Sequence, residues 1–333
     1  MSDSLEREII GRRPRRSRKL RRIAVSLVGM GLGDRIIFEA PLRVHCRNHP
    51  RDYIIAIVDR NTRTEIPQSL RRYFDELWWV SAGDGRRWRS SRMAIARRVR
   101  DALIGAGVEE LLVPWRRKQF APSDAYTMKP YNCFQEAECL HEFGIHPRVR
   151  VPLSERRWAQ QFLRANIPAR CQALVSVHVR GVSYGLERNL DAGLVGQVLD
   201  ALRSQGRFGF VFVGRDDGPP DVSGPDVFSF VGQPWPFERT AAVIRQTHLF
   251  VGGESGLIHA AVALGVPAIG IGFVGPHAIP FTTADRYVCF EKGESPQTIM
   301  AEVKQFVERL ELPLGRERPT WRRSGRRKRV RRR

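Results

Sequence analysis

Residues 23–34, Ile23-Ala24-Val25-Ser26-Leu27-Val28-Gly29-Met30-Gly31-Leu32-Gly33-Asp34, carry the reading that decides the fold. An apolar run ends in three closely spaced glycines, and the hydrophobic period then changes from two to that of a helix. A strand at Ile23–Val28 therefore hands over, through a glycine turn, to a helix at Asp34–Arg47. A second apolar run, Tyr53–Val58, follows that helix. Strand, helix, strand in this order is the start of a parallel sheet covered by helices.

Working outward, Leu77–Val80 and Leu111–Val113 read as further short strands, with a basic helical stretch, Ser91–Ile104, between them. Pro114–Arg150 has no clean period and reads as a connector facing a cleft. A second series then begins. It comprises a helix at Ser154–Asn166 with Ser154 in the N-cap position, a strand at Ala173–Val179, a helix at Ala192–Gln205 and a strand at Phe208–Val213. Strands at Val227–Phe230 and Leu249–Val251 follow, with a helix at Phe237–Gln246 between them. A helix at Gly256–Leu264, a strand at Ala268–Phe273 and a last helix from Pro296 to Leu310 complete it. The expected architecture is α/β. Two doubly wound, Rossmann-like parallel sheets, in domains 23–150 and 151–312, should face each other across a cleft at the carboxyl ends of their strands.

The 333 residues are 42% hydrophobic and 27% charged, ordinary for a globular chain, which excludes collagen, wholly disordered and disulfide-scaffold classes. Cys46, Cys133, Cys139, Cys171 and Cys289 are scattered without a C-x-x-C pair. That pattern argues against a zinc site and against a secreted disulfide framework, so a reducing cytoplasm is the expected compartment. No apolar run approaches the roughly 20 residues that cross a bilayer, and the charged start lacks the apolar stretch of a signal peptide.

The formal charge of +21 is extreme, and most of it lies at the ends. Residues 1–22 contribute +6 and residues 316–333 contribute +10. Within the folded part, residues 23–150 carry +6 and residues 151–315 carry −1. Blocks such as Arg12-Arg13-Pro14-Arg15-Arg16 and Arg326-Arg327-Lys328-Arg329 bury no apolar surface and repel themselves, so 1–22 and 313–333 are expected to be disordered basic arms. Their partner should be polyanionic. Nucleic acid and an anionic lipid surface satisfy the charge equally, and simple solubilisation is the plainer reading.

Three motifs could carry chemistry. In the glycine turn, Gly31 and Gly33 let a backbone approach a ligand at a helix start, where unbonded N–H groups favour an anion. The dinucleotide pattern G-x-G-x-x-G fails, because the third glycine falls one position early and Asp34 takes its place, although Asp59 stands where a ribose-binding acid would. Asp34 itself is either a plain helix cap or a carboxylate able to take a proton from a hydroxyl.

The second motif is Val251-Gly252-Gly253-Glu254-Ser255-Gly256-Leu257-Ile258-His259-Ala260-Ala261-Val262-Ala263-Leu264-Gly265-Val266-Pro267. A strand ending in glycines, a Glu-Ser-Gly turn and a helix of small residues would offer amides and a hydroxyl to a phosphate. Alternatively Ser255 is an N-cap and His259 a packing histidine. The third is Val177-His178-Val179-Arg180-Gly181 with Arg188 beyond it. This strand delivers His178 and Arg180 toward a loop, where a guanidinium could fork two phosphate oxygens. A surface ion pair, Glu187 with Arg188, is the plainer alternative. Val213-Gly214-Arg215-Asp216 closes a neighbouring strand and either lines the same cleft or is an ordinary turn.

Gly33-Asp34-Arg35-Ile36-Ile37 with Pro41, together with Glu254-Ser255-Gly256-Leu257-Ile258-His259 through Pro267, resembles the heptosyltransferase-like family 9 glycosyltransferases. The resemblance spans residues 23–312 and implies the two-domain GT-B fold, with the acceptor held by the first domain and a nucleotide-sugar donor by the second. It implies an inverting transferase that needs no bound metal and no cofactor, with Asp34 as general base. Glu254, Ser255, Gly256 and His259 would serve the donor diphosphate, Glu254 replacing the usual Asp. Arg188 resembles the basic residue that the family brings toward the donor phosphate. The His178-x-Arg180 spelling also looks like the fucosyltransferase signature on the same plan. The family acceptor implies lipopolysaccharide or another surface glycan, and a site in the cytoplasm or peripheral on an inner membrane. A glycosyltransferase acting on nucleic acid, and a non-catalytic nucleic-acid-binding protein on a GT-B scaffold, are the alternatives.

Overall fold

The computed structural model describes residues 5–10, 21–27, 30–59, 65–80, 102–113, 129–130, 140–179, 190, 192–214, 222, 224–272, 279, 285–291 and 293–312. The chain divides into two compact units, Met1–Arg148 and Val149–Arg333.

The first unit is built on a six-stranded sheet. Its strands are β1 (Leu5–Ile9), β2 (Arg22–Ser26), β3 (Tyr53–Asp59), β4 (Glu76–Val80), β5 (Glu110–Val113) and β6 (Lys129–Pro130), in the order β1-β4-β3-β2-β5-β6. β2 through β6 pair in parallel, and β1 runs antiparallel to β4 with Leu5 opposite Val80. Helix α1 (Leu32–Asn48) and the short α2 (Gln68–Arg71) connect them. Alternation along the strands splits the core in two. Ile23, Val25, Ile54, Ala56 and Val58 pack with Phe38 and Leu42 of α1, whereas Ala24, Ile55, Ile57 and Trp78 pack with Leu103 and Val108. Both sheet faces are thus covered, as a parallel sheet requires.

Residues 5–9 correct the expectation of a disordered arm through residue 22. Their charges are used inside the sheet. The Arg7 guanidinium lies 4.4 Å over the Trp78 ring, and Glu8 accepts from the Arg71 guanidinium and from the Trp79 indole. The self-repelling arginine block begins only at Arg12, and like residues 313–333 it lies outside the described residues.

The second unit holds a six-stranded, all-parallel sheet. Its strands are β7 (Ala173–His178), β8 (Phe208–Phe212), β9 (Val227–Ser229), β10 (Leu249–Gly252), β11 (Ala268–Ile271) and β12 (Tyr287–Phe290), in the order β12-β11-β10-β7-β8-β9. β7, β8, β10 and β11 are buried along their whole length, which matches their near-continuous apolar sequence. The helices are α3 (Leu153–Asn166), α4 (Ala192–Arg203), α5 (Phe237–Arg245), α6 (Gly256–Ala263) and α7 (Pro296–Arg309). Val195, Val198, Leu199 and Leu202 of α4 meet Ile299, Val303 and Phe306 of α7 over β7 and β8. α3 pairs with α5 through Arg239, which donates to both oxygens of Glu155 at 2.9 and 3.3 Å.

Helix starts differ from expectation where a proline intervenes. Pro152, not Ser154, occupies the N-cap position of α3, two residues earlier, with φ −56° and ψ 150°. At α7 Ser295 does cap, accepting from the Thr298 N–H at 3.1 Å, with Pro296 in the first turn. The Pro114–Arg150 connector contains the two-residue β6 and a helical turn at 140–142. The basic helix read at Ser91–Ile104 lies outside the described residues except for a helical turn at 102–105.

Candidate functional site

Strand order locates the ligand-binding edge of each unit before any side chain is considered. In the second sheet the chain starts at β7, adds β8 and β9 on one side, then crosses to add β10, β11 and β12 on the other. The order reverses between β7 and β10. Open α/β sheets bind ligands at the carboxyl ends of the strands flanking such a switch point. The first sheet repeats the plan, with β2 central, β3 and β4 to one side, and β5 and β6 to the other.

In the second unit the switch point is where the sequence motifs meet. His178 ends β7 and pairs in register with Gly252, which ends β10. Gly253, Glu254 and Ser255 continue from Gly252 into α6. Two glycines from the adjacent strands lie against His178, Gly252 with no room for a Cβ and Gly214 with little. A Cβ on Gly214, just past β8, would approach the His178 ring to 3.1 Å, and a Cβ on Gly252 would come within 2.8 Å of the His178 carbonyl oxygen. His178 is 8% exposed, and burial pushes its imidazole down to about 4, so it is neutral at physiological pH.

Ser255 occupies the N-cap position of α6, with extended backbone at φ −146° and ψ 165°. Its hydroxyl does not cap the helix, and the fully buried Oγ has no hydrogen-bond partner among the described residues. A buried hydroxyl without a partner costs about 1–3 kcal/mol. The first amides of α6, which have no intrahelical acceptor, are likewise left uncapped by this side chain. This is the arrangement that a phosphate oxygen completes, by accepting from the hydroxyl and the amides together. Gly256 starts α6, and Glu254 is half-buried beside the turn. His259, one turn into α6, is 7% exposed and also held down to about 4 by burial. Neither histidine supplies positive charge at neutral pH. The start of α6 offers partial positive charge, and Arg180, Arg188, Arg215 and Asp216 lie outside the described residues.

In the first unit, α1 follows β2, the strand beside the switch point. Gly31 is its N-cap, and the helix starts at Leu32, two residues before the expected start. Asp34 therefore sits within the first turn, half-buried, and its Oδ2 accepts the Gly31 N–H at 3.0 Å. Gly31 has an ordinary φ of −67°, and a Cβ there would meet only Asp34 Oδ2 at 3.5 Å, so neither backbone strain nor space demands glycine. Gly33 is buried within the helix, and Gly29 lies outside the described residues. Beside Asp34, the fully buried Arg35 donates to the Glu65 and Leu27 carbonyls at 3.2 and 3.4 Å, tying the ends of β2 and of the loop after β3 to the start of α1. Asp59 ends β3.

The structure thus brings His178, Gly214, Glu254, Ser255, Gly256 and His259 to one edge of the second unit, and Asp34 with Gly31 and Gly33 to the corresponding edge of the first. Sequence reading missed two participants. In the sequence Gly252 reads only as a strand end, yet it is the residue whose lack of a side chain admits the His178 main chain. Tyr287 begins β12, a strand that was not expected. Its phenol is raised by burial first, then by Cys289 and Glu254, which places it in the electrostatic surroundings of the turn. The short apolar run Tyr287-Val288-Cys289-Phe290 is the sequence signal for it.

No protein-family model and no curated protein matches the chain. Solved structures do. A family 9 glycosyl transferase from Veillonella parvula is 17% identical with a TM-score of 0.60, over 89% of this chain and 98% of that one. The ADP-heptose lipopolysaccharide heptosyltransferase II of E. coli is 11% identical with a TM-score of 0.53, over 86% and 98%. The E. coli heptosyltransferase WaaC with ADP is 14% identical with a TM-score of 0.50, over 87% and 99%. The chain has the fold of these glycosyltransferases, the α/β architecture expected from the paired motifs at Asp34 and Glu254–His259.

Proposed function

We propose that this protein is a glycosyltransferase that moves a sugar from a nucleotide-sugar donor to an acceptor hydroxyl, with inversion and without a metal or other cofactor. The observation that carries the reading is the buried, unpartnered Ser255 hydroxyl at the uncapped start of α6, beside the glycine-flanked His178 at the switch point of the second sheet. A diphosphate supplies the acceptors those groups lack. Shared fold with enzymes described as bound to ADP, and with ADP-heptose heptosyltransferases, supports the same donor class.

In this reading the Asp34 carboxylate takes the acceptor proton, and the oxygen so activated attacks the anomeric carbon. The bond from that carbon to the diphosphate breaks in the same displacement, which inverts the centre. Charge growing on the leaving diphosphate is met by the Ser255 hydroxyl, the α6 amides and helix dipole, and Arg188. The basic first half and the arginine-rich ends suit an acceptor carried on an anionic surface, a phosphorylated glycolipid at an inner-membrane face being the favoured class.

Titration calorimetry and thermal shift with ADP, UDP, GDP and NAD test the donor assignment. A diphosphate should stabilise the parent, more weakly in Ser255→Ala. A response to NAD alone overturns the reading.

A further inference from the structure

Glu39 and Arg43 lie one turn apart on α1, 1% and 5% exposed, and form an ion pair with Arg43 Nη1 at 3.2 and 3.1 Å from the two carboxylate oxygens. Three further bonds extend from the pair, while Arg43 Nε is buried without a partner among the described residues. The Tyr73 hydroxyl donates to Glu39 Oε1 at 2.9 Å, the Arg148 main-chain N–H donates to Glu39 Oε2 at 2.7 Å, and Arg43 Nη2 donates to the His146 carbonyl at 2.7 Å. The pair therefore grips the backbone on both sides of Pro147. Arg148 is the last residue of the first unit, and Val149 opens the second.

A buried ion pair is a poor source of stability. Burial raises the Glu39 carboxyl and lowers the Arg43 guanidinium, each against the pull of the other. Apolar side chains of similar volume commonly do as well or better in such a place. What the pair supplies that leucine and methionine would not is direction, since one oxygen of Glu39 and one amino group of Arg43 are each bonded to the main chain of residues 146–148. The same helix carries Asp34 at its start.

We propose that Glu39 and Arg43 are positioning residues for the transfer reaction, fixing the root of the connector between the units to the helix that carries the candidate base. This rests on the function proposed above. Its force is geometric. A misplacement of about 1 Å between reacting groups can lower a rate about a hundredfold.

The test is a paired replacement, Glu39→Leu with Arg43→Met, in the full chain. The double replacement loses the bonds to Tyr73, Arg148 and His146 but strands no charge, so it should melt above Glu39→Leu alone, which leaves a buried guanidinium without its carboxylate. The folded pair variant should bind ADP as the parent does, because the proposed diphosphate groups all lie in the second unit. Its kcat should fall about ten- to a hundredfold, and small-angle X-ray scattering should show a broader distribution of distances. A parental kcat in the folded pair variant, or a scattering curve superimposable on the parent's, overturns the proposal. If the parent itself turns over no nucleotide sugar, it is the function reading that fails, and the scattering comparison alone decides the anchoring.

Discussion

The Gly31 amide donates to Oδ2 of Asp34 across 3.0 Å, so the carboxylate proposed as the base is also a cap on its own helix. The cap and the proposed base role separate under substitution. Asparagine keeps a carbonyl oxygen for the Gly31 N–H but cannot accept a proton. Asp34→Asn should therefore keep its unfolding free energy in urea within about 1 kcal/mol of the parent while kcat falls about a hundred- to ten-thousandfold. Undiminished turnover in that variant would remove Asp34 from the chemistry and leave it a cap.

Ser255 poses the reverse case. As an ordinary N-cap its replacement by alanine would cost about 1 kcal/mol. The hydroxyl does not bond the helix, so Ser255→Ala should be as stable as the parent or slightly more stable in urea. Its affinity for a nucleoside diphosphate should fall about two- to tenfold. Clear destabilisation with unchanged affinity would return Ser255 to a structural role.

Gly252 has no space for even a methyl group. An alanine Cβ would meet the His178 carbonyl oxygen and the Phe250 ring, both at 2.8 Å, and the first of these is backbone of the neighbouring strand. Gly252→Ala should lower stability by about 1–3 kcal/mol and displace the turn that follows, weakening diphosphate binding more than Ser255→Ala does. Denaturant unfolding paired with calorimetry checks both effects. Parental stability would show that the strands part without penalty.

Two buried histidines, His178 and His259, and two half-buried ones, His45 and His248, have imidazoles lowered chiefly by burial, the first two to about 4. The unfolded chain binds their protons near pH 6.5, before the folded chain does. Stability is thus fully present above that pH and is lost as pH falls toward 4, by up to about 3 kcal/mol each for His178 and His259. Urea midpoints measured from pH 7.5 to 4.5 should slope downward on acidification, and His259→Asn should flatten the slope. An unchanged slope would mean that His259 protonates freely in the folded state.

Much of this fold was legible because period and punctuation agree. Ile23–Val28, Tyr53–Val58, Ala173–Val179 and Leu249–Val251 each end within two residues of the observed strand, since alternating or continuous burial leaves a direct mark on residue type. β1 was hidden because its charges read as a solvated arm. They find partners in Trp78, Trp79 and Arg71, which only the folded sheet brings alongside. The site was legible at the level of turns and helix starts, which are local. The His178 notch depends on register among β7, β8 and β10, and the Glu39 anchor joins α1 to residues about a hundred positions later. Neither has a local signature.

The antiparallel pairing of Leu5 with Val80 has a consequence for biosynthesis. Residues 5–9 leave the ribosome long before their partner strand exists, and they wait as a solitary segment until Val80 has followed them out. The run Glu6-Arg7-Glu8 suits that interval. Two nascent chains meeting antiparallel about Arg7 would set Arg7 against Arg7 and Glu6 against Glu8, so like charges discourage premature association between neighbours on a polysome.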